Sequence, residues 1–212
     1  MMRILQLVAG VLLLAMATVS PAEAQALNKA ERDRLVKHLQ DTRKALQKET
    51  KGLTPQQWNF KAAPDRWSVA ECLEHITLSE DLIYQMINDK VMKTPAQAEK
   101  YNATAAQAKD DQITKILPDR SQKFQAPEPL KPSGKWANPA ETWKHFEASR
   151  KTTIAYAKKQ ADLRAHFMDS PAVKDMDGYQ WLLFLSAHSE RHTAQIREVK
   201  ADANFPKKAS RY

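Results

Sequence analysis

His188 and His192 stand one helical turn apart in an apolar segment near the C-terminus, residues 181–199. Residues four apart on a helix share a face. The two imidazoles therefore point at one spot in space, a common way for a helix to offer two ligands to a metal ion. Both fall on the stripe Trp181, Leu185, His188, His192, Gln195 or Ile196, and Val199, whose spacing marks the side of a helix that faces a core. A third histidine, His75, borders a similar stripe formed by Val69, Cys72, Ile76, Ser79, Ile83 and Met86. Three uncoordinated imidazoles in a bundle interior are costly unless each finds a partner. A divalent ion would satisfy all three lone pairs and leave a coordination position for water or substrate. His38, His145 and His166 compete for the third place: His38 lies close to the apolar stripe of its own segment, His145 is next to Phe146, and His166 falls in an expected loop. The pair by itself reads equally well as two satisfied core histidines.

The other reactive side chains have plainer readings. Glu71 sits one turn before His75, where a general base could act, but its place three residues after Ser68 marks it as half of a helix cap. Glu190 lies off the face of the histidine pair and reads as solvated. The segment His188-Ser189-Glu190-Arg191-His192 has the outer spacing of the zinc-protease helix motif but lacks Glu directly after the first His, which excludes a protease of that class. Arg150 and Arg191 could grip an anion, although surface roles suit both better. The one cysteine, Cys72, lies in an apolar helical pattern and reads as a buried small side chain rather than a nucleophile. Neither a Gly-rich phosphate loop nor a nucleophile elbow is present in the sequence.

Four segments must position the histidines, and their starts are legible. Asn28-Lys29-Ala30-Glu31, Ser68-Val69-Ala70-Glu71 and Asn138-Pro139-Ala140-Glu141 read as capping boxes, in which a side-chain oxygen takes an orphan N–H and the residue three on reaches back. Asp177-Gly178-Tyr179-Gln180 is a weaker fourth. The first helix should run to about Thr50 and stop at Gly52, and the second should run to about Asp89. The third carries Trp143, Phe146, Ile154 and Ala157 on its apolar side. Between the first two helices, one turn is expected at Thr54-Pro55. The pattern predicts an all-α fold, a four-helix bundle with a long link between the second and third helices. That link, residues 93–137, should hold a short helix near 104–117 and an irregular stretch around Pro127, Pro129 and Pro132. Its length permits a crossover rather than a plain up-down hairpin.

Composition bounds the setting. The 212 residues are 42% hydrophobic and 27% charged, enough for one domain with a real core. The net charge of +8 could suit nucleic acid, but Lys and Arg are interleaved with Asp and Glu and form no basic block with aromatics, so no nucleic-acid partner is expected. Residues 1–26 read as a cleavable signal peptide: Arg3 begins it, residues 4–19 are apolar, and Ala22-Glu23-Ala24 or Ala24-Gln25-Ala26 offers a small-residue cleavage site. The domain would then occupy residues 27–212, in the periplasm or secreted, with no stable membrane insertion after cleavage. A lone cysteine gives such a protein no internal disulfide, so stability must come from helix packing.

The stretch Trp67-Ser68-Val69-Ala70-Glu71-Cys72-Leu73-Glu74-His75-Ile76 resembles the second-helix signature of the DinB-like superfamily. His188-Ser189-Glu190-Arg191-His192-Thr193-Ala194-Gln195-Ile196 resembles its last-helix signature, and the likeness spans roughly residues 28–200. The resemblance implies a four-helix bundle (of the DinB/YfiT type) with a central divalent metal, often zinc or nickel, held here by His75, His188 and His192. It also implies chemistry on a small-molecule substrate, either as a metal-dependent hydrolase that activates a metal-bound water or as a thiol-dependent transferase or isomerase. A hydrolase is favoured, because an exported protein lies away from cytosolic thiols. A non-catalytic metal-binding protein and a homodimer are also compatible with the sequence. No catalytic residue beyond the ligands is assigned.

Overall fold

The computed structural model describes residues 26–170 and 173–207. Residues 1–25 of the expected signal peptide lie outside them. The described chain forms helices α1 (Lys29–Thr50), α2 (Pro55–Asn59), α3 (Val69–Asp89), α4 (Ala103–Ile116), α5 (Pro139–Lys159) and α6 (Gly178–Lys200), with strands β1 (Phe167–Met168) and β2 (Met176–Asp177). Among the described residues no helix is long and apolar enough to cross a membrane.

The helices begin where side chains can satisfy their free N–H groups. Full capping boxes form at Asn28, Thr54, Ser68 and Asp177. At α5 only half of the expected box closes: Asn138 Oδ1 accepts from the Glu141 amide at 3.0 Å. Pro139 stands at the first position of α5, where a missing N–H costs nothing. α1 stops as expected, with Gly52 at φ +69°, a conformation that glycine adopts without steric cost. The short strands, which the sequence pattern did not predict, pair antiparallel, with Phe167 opposite Asp177.

α1 and α3 lie diagonally across the bundle, and each packs on both α5 and α6. The side-chain contacts fix the directions. Tyr179 Oη donates to the Glu31 carbonyl at one end of the α1–α6 pair, and Lys200 reaches Glu49 at the other, so these two helices are parallel. Arg32 binds the carbonyls of Ala157 and Gln160 while Arg43 binds Glu147, so α5 runs against α1. α3 runs with α5, as the contacts Asp81–His145 and, farther along both helices, Tyr84–Tyr156 show. The chain therefore leaves α3 at the end opposite to the start of α5. The link has to travel back the length of a 21-residue helix, about 30 Å. It does so alongside α6: Gln180 meets Ala106, and farther on Arg191 meets Leu117 and Asp119. The expected crossover is thus present, with α4 over Ala103–Ile116 in place of the short helix expected near 104–117.

Two apolar clusters fill the bundle. One gathers Leu35, Leu39, Ile83, Ile87, Leu182 and Leu185, and the other Leu46, Cys72, Leu73, Ile76, Phe146 and Ile196. Between them lies a polar layer to which all four long helices contribute. Arg150 forks onto Glu80 at 2.9 and 2.7 Å and also donates to the Leu39 carbonyl, Thr42 Oγ1 and Ser189 Oγ. Thr153 Oγ1 completes the shell of Glu80 at 2.8 Å. Both charged side chains are fully buried. The surface role expected for Arg150 is therefore corrected: it is an interior cross-brace, and a buried charge of this kind persists only when its donors are all satisfied.

Candidate metal centre

His75 lies in the first half of α3, and His188 and His192 in the second half of α6. Because α3 and α6 run antiparallel, the levels match and the three rings converge. His75 Nε2 is 3.1 Å from His192 Nε2 and 3.3 Å from His188 Nε2. Among the described residues, the three form a group whose ligand atoms all lie within 4.8 Å of one another. His75 and His192 are buried, and His188 is half-buried. Trp67, just before α3, lies against the His75 ring at 4.7 Å between centroids and closes one side.

The protons on these rings can be placed from their partners. His75 Nδ1 donates to the Leu130 carbonyl at 2.7 Å. His192 Nδ1 donates to Gln195 Oε1 at 2.8 Å, and Arg120 Nη1 donates to the same oxygen at 3.3 Å, which fixes the orientation of the amide. A neutral imidazole carries one N–H. With both protons committed to Nδ1, the two Nε2 atoms face each other as bare lone pairs. Neither can donate to the other, so the pair is repulsive unless a cation lies between them.

Protonation does not readily relieve this contact. Burial pushes the His188 pKa down to about 3, with further lowering from His75 and Arg191. Burial also lowers His75, against a smaller raising effect of the Leu130 carbonyl. His192 is held well below the ordinary histidine value by burial and then by the charges of His188 and His75. At neutral pH the site presents three uncharged imidazoles, the form that binds metals.

The competing histidines are elsewhere. His38 Nδ1 meets Ser186 Oγ at 2.7 Å, His145 pairs with Asp81 at 2.7 Å, and His166 meets the Thr94 carbonyl at 2.7 Å. Glu71 is the cap it was expected to be: its amide donates to Ser68 Oγ, and its carboxylate accepts from the Ser68 amide. Arg191 is not a surface group: it is 5% exposed and donates to the carbonyls of Leu117, Asp119 and Gln122. Cys72 is buried, and burial pushes its thiol far above the usual range, which agrees with a core role. Ser79, one turn after His75, is buried, and its Oγ has no hydrogen-bond partner among the described residues.

Several residues that shape the site were not singled out from sequence. Glu74, directly before His75, binds the backbone of residues 133–135. Leu130 and Arg120 belong to the link, and Gln195 appeared only as a stripe position. The Gln-Ile after His192 and the Glu-His pair at residues 74–75 were visible, but their partners lie 55 or more residues away or on an irregular segment.

The comparisons with known proteins agree with this architecture. Residues 38–196 match the family model of the DinB superfamily. The uncharacterized protein YuaE of Bacillus subtilis is 23% identical over 153 residues, covering 72% of this chain and 88% of that protein. The structure of YfiT from Bacillus subtilis, described as a probable metal-dependent hydrolase with an unusual four-helix bundle topology, superposes with a TM-score of 0.56 at 17% identity, covering 83% of this chain and 89% of YfiT. A match over that length of the chain, on a four-helix bundle with three histidines gathered between α3 and α6, means that the protein belongs to the DinB superfamily.

Proposed function

We propose that this protein is a metal-dependent hydrolase in which the Nε2 atoms of His75, His188 and His192 hold one divalent ion. One observation carries the reading: the bare Nε2 atoms of His75 and His192 lie 3.1 Å apart, with the Nε2 of His188 3.3 Å from that of His75, while the Nδ1 protons of His75 and His192 are committed elsewhere. Metal–imidazole bonds run about 2.0–2.1 Å, so the edge of a tetrahedron around the ion is about 3.3 Å and that of an octahedron about 3.0 Å. The spacing in the site spans these values. Imidazole donors suit zinc and nickel, and these are the ions proposed.

Three neutral donors leave the charge of the ion undiminished and leave coordination positions for small molecules. When bound, such an ion supplies Lewis acidity, which acidifies water or a thiol and polarises a carbonyl. The chain's own contribution is orientation. Leu130 and Gln195 set the ring planes of His75 and His192, and Trp67 shields one side. The description of YfiT supports a hydrolase for this chain as well.

Export of the mature chain to the periplasm or medium is part of the proposal and rests on the pattern of residues 1–26. The substrate proposed is a small molecule. The test is turnover of ester and amide panels by zinc- and nickel-loaded protein, against the chelator-treated protein and His192→Ala, alongside thiol-conjugation assays. Metal-dependent hydrolysis lost in His192→Ala is the expected result. Thiol conjugation without hydrolysis would replace the hydrolase by a thiol transferase, and no turnover of either kind would leave a metal-binding protein without catalysis.

A further inference from the structure

The hydrogen bonds that orient two of the histidines both lead to one segment of the link between α3 and α5. His75 Nδ1 ends on the Leu130 carbonyl, and His192 Nδ1 ends on Gln195 Oε1, which Arg120 also binds. The segment is fastened at two places. At its start, Arg191 collects the carbonyls of Leu117, Asp119 and Gln122, and Arg120 forks onto Glu198 at 2.6 and 2.9 Å. At its end, the amides of Ser133, Gly134 and Lys135 converge on the Glu74 carboxylate at 2.9, 3.1 and 2.9 Å. Gly134 has φ +74°, the backbone turn that lets successive N–H groups point at one anion. Between the fastenings the strap is exposed, with Phe124 74% accessible.

Glu74 is only 7% exposed, and among the described residues amides rather than a lysine or arginine hold its carboxylate. Adjacent residues on a helix point about 100° apart. α3 can therefore aim His75 at α6 and Glu74 at the strap from the same rigid turn. Holding residues 133–135 places the Leu130 carbonyl, which in turn holds the His75 ring.

We propose that Glu74 is a positioning residue for the metal centre: by anchoring residues 133–135 it sets the Leu130 carbonyl on His75, so that loading of the ion and ordering of the strap are thermodynamically coupled. The proposal rests on the three-histidine metal reading. Groups that orient a metal ligand typically change metal affinity about 10–100-fold when removed. Coupling is reciprocal, so the ion must stabilise the strap by the same factor.

The experiment measures the zinc Kd by chelator competition, together with amide hydrogen exchange over residues 130–135, for the full chain as wild type, Glu74→Gln and Gly134→Ala. Glu74→Gln turns an acceptor into a donor facing the amides. Gly134→Ala strains only the turn, since an added Cβ meets nothing within 4 Å among the described residues. The expected result is slower exchange at 130–135 on zinc binding by the wild type, and a roughly 10–100-fold weaker Kd in both variants. A purely structural Glu74 would lower the metal-free melting temperature and leave the Kd unchanged, which overturns the proposal, as does exchange at 130–135 indifferent to zinc. If Glu74→Gln does not fold, Gly134→Ala decides alone. Failure of the wild type to bind zinc overturns the metal reading first and the coupling with it, and is recorded before any variant is needed.

Discussion

Replacing Glu80 by glutamine should unfold this bundle far more easily, although the substitution changes almost no volume. Glu80 and Arg150 are fully buried and joined by two hydrogen bonds of 2.9 and 2.7 Å. The amide in Glu80→Gln would keep one acceptor but leave the guanidinium without a counter-charge at the centre of the protein, and it would turn an N–H toward a donor. Breaking a buried pair from one side costs about 3–5 kcal/mol. For a chain of this length each kcal/mol lowers Tm by about 2–4 °C, so the expected loss is about 6–20 °C. Against a total stability of about 5–15 kcal/mol, this is a large share. The assay is urea unfolding followed by far-UV circular dichroism, with the m-value checked for constancy. Glu80 also accepts from Thr153, and Arg150 also donates to Leu39, Thr42 and Ser189, but each charge is the other's counter-charge, so the double variant Glu80→Gln/Arg150→Met should cost clearly less than the sum of the two single variants. A Glu80→Gln loss below about 1 kcal/mol, or strict additivity in the double variant, would refute the claim that this pair braces the core.

Other consequences follow from the same layer. Ser79→Ala should be neutral or stabilising by up to about 1 kcal/mol in urea unfolding of the metal-free protein, because the buried hydroxyl has no partner to lose among the described residues; a loss above that size would mean that the hydroxyl is satisfied in solution. His38 is held down to about 4, chiefly by burial and then by the Arg150 charge. The unfolded chain therefore takes up a proton, between its ordinary value of about 6.5 and pH 4, that the folded chain refuses. Stability falls as pH drops through that window, and His38→Gln should flatten the decline by about 2 kcal/mol, measured as the difference between unfolding free energies from urea titrations at about pH 7 and pH 4.5. Identical pH profiles for the two proteins would contradict the assignment.

What could be read from the chain was local. The caps at Asn28, Ser68 and Asp177, the stop at Gly52 and the spacing of His188 and His192 each depend on residues within one helical turn, and each appears in the structure. The selection of His75 over His38, His145 and His166 needed the antiparallel packing of α3 on α6, which no spacing within one helix encodes; the family signature around residues 67–76 supplied it instead. Arg150 and Arg191 were misjudged for a related reason. Hydrophobic periodicity assigns charged residues to the solvent side, and only a partner such as Glu80, 70 residues away in sequence, makes an interior arginine tolerable. Arg164, which the sequence did not single out, is likewise an interior arginine, buried against Asp110 and Asp177. The attachment of Glu74 to residues 133–135 joins a helix to an irregular segment, where no periodic signal exists.

Three histidines that form one metal site should bind one ion together and fail when any of them is removed. The most direct test is elemental analysis of the purified, dialysed protein after zinc or nickel loading, for the wild type and for His75→Ala, His188→Ala and His192→Ala. One ion per wild-type chain, a rise in Tm on loading, and loss of both in each variant are expected. A wild type that takes up neither ion and melts at the same temperature with or without them, or variants that retain a full equivalent, would contradict a three-histidine site.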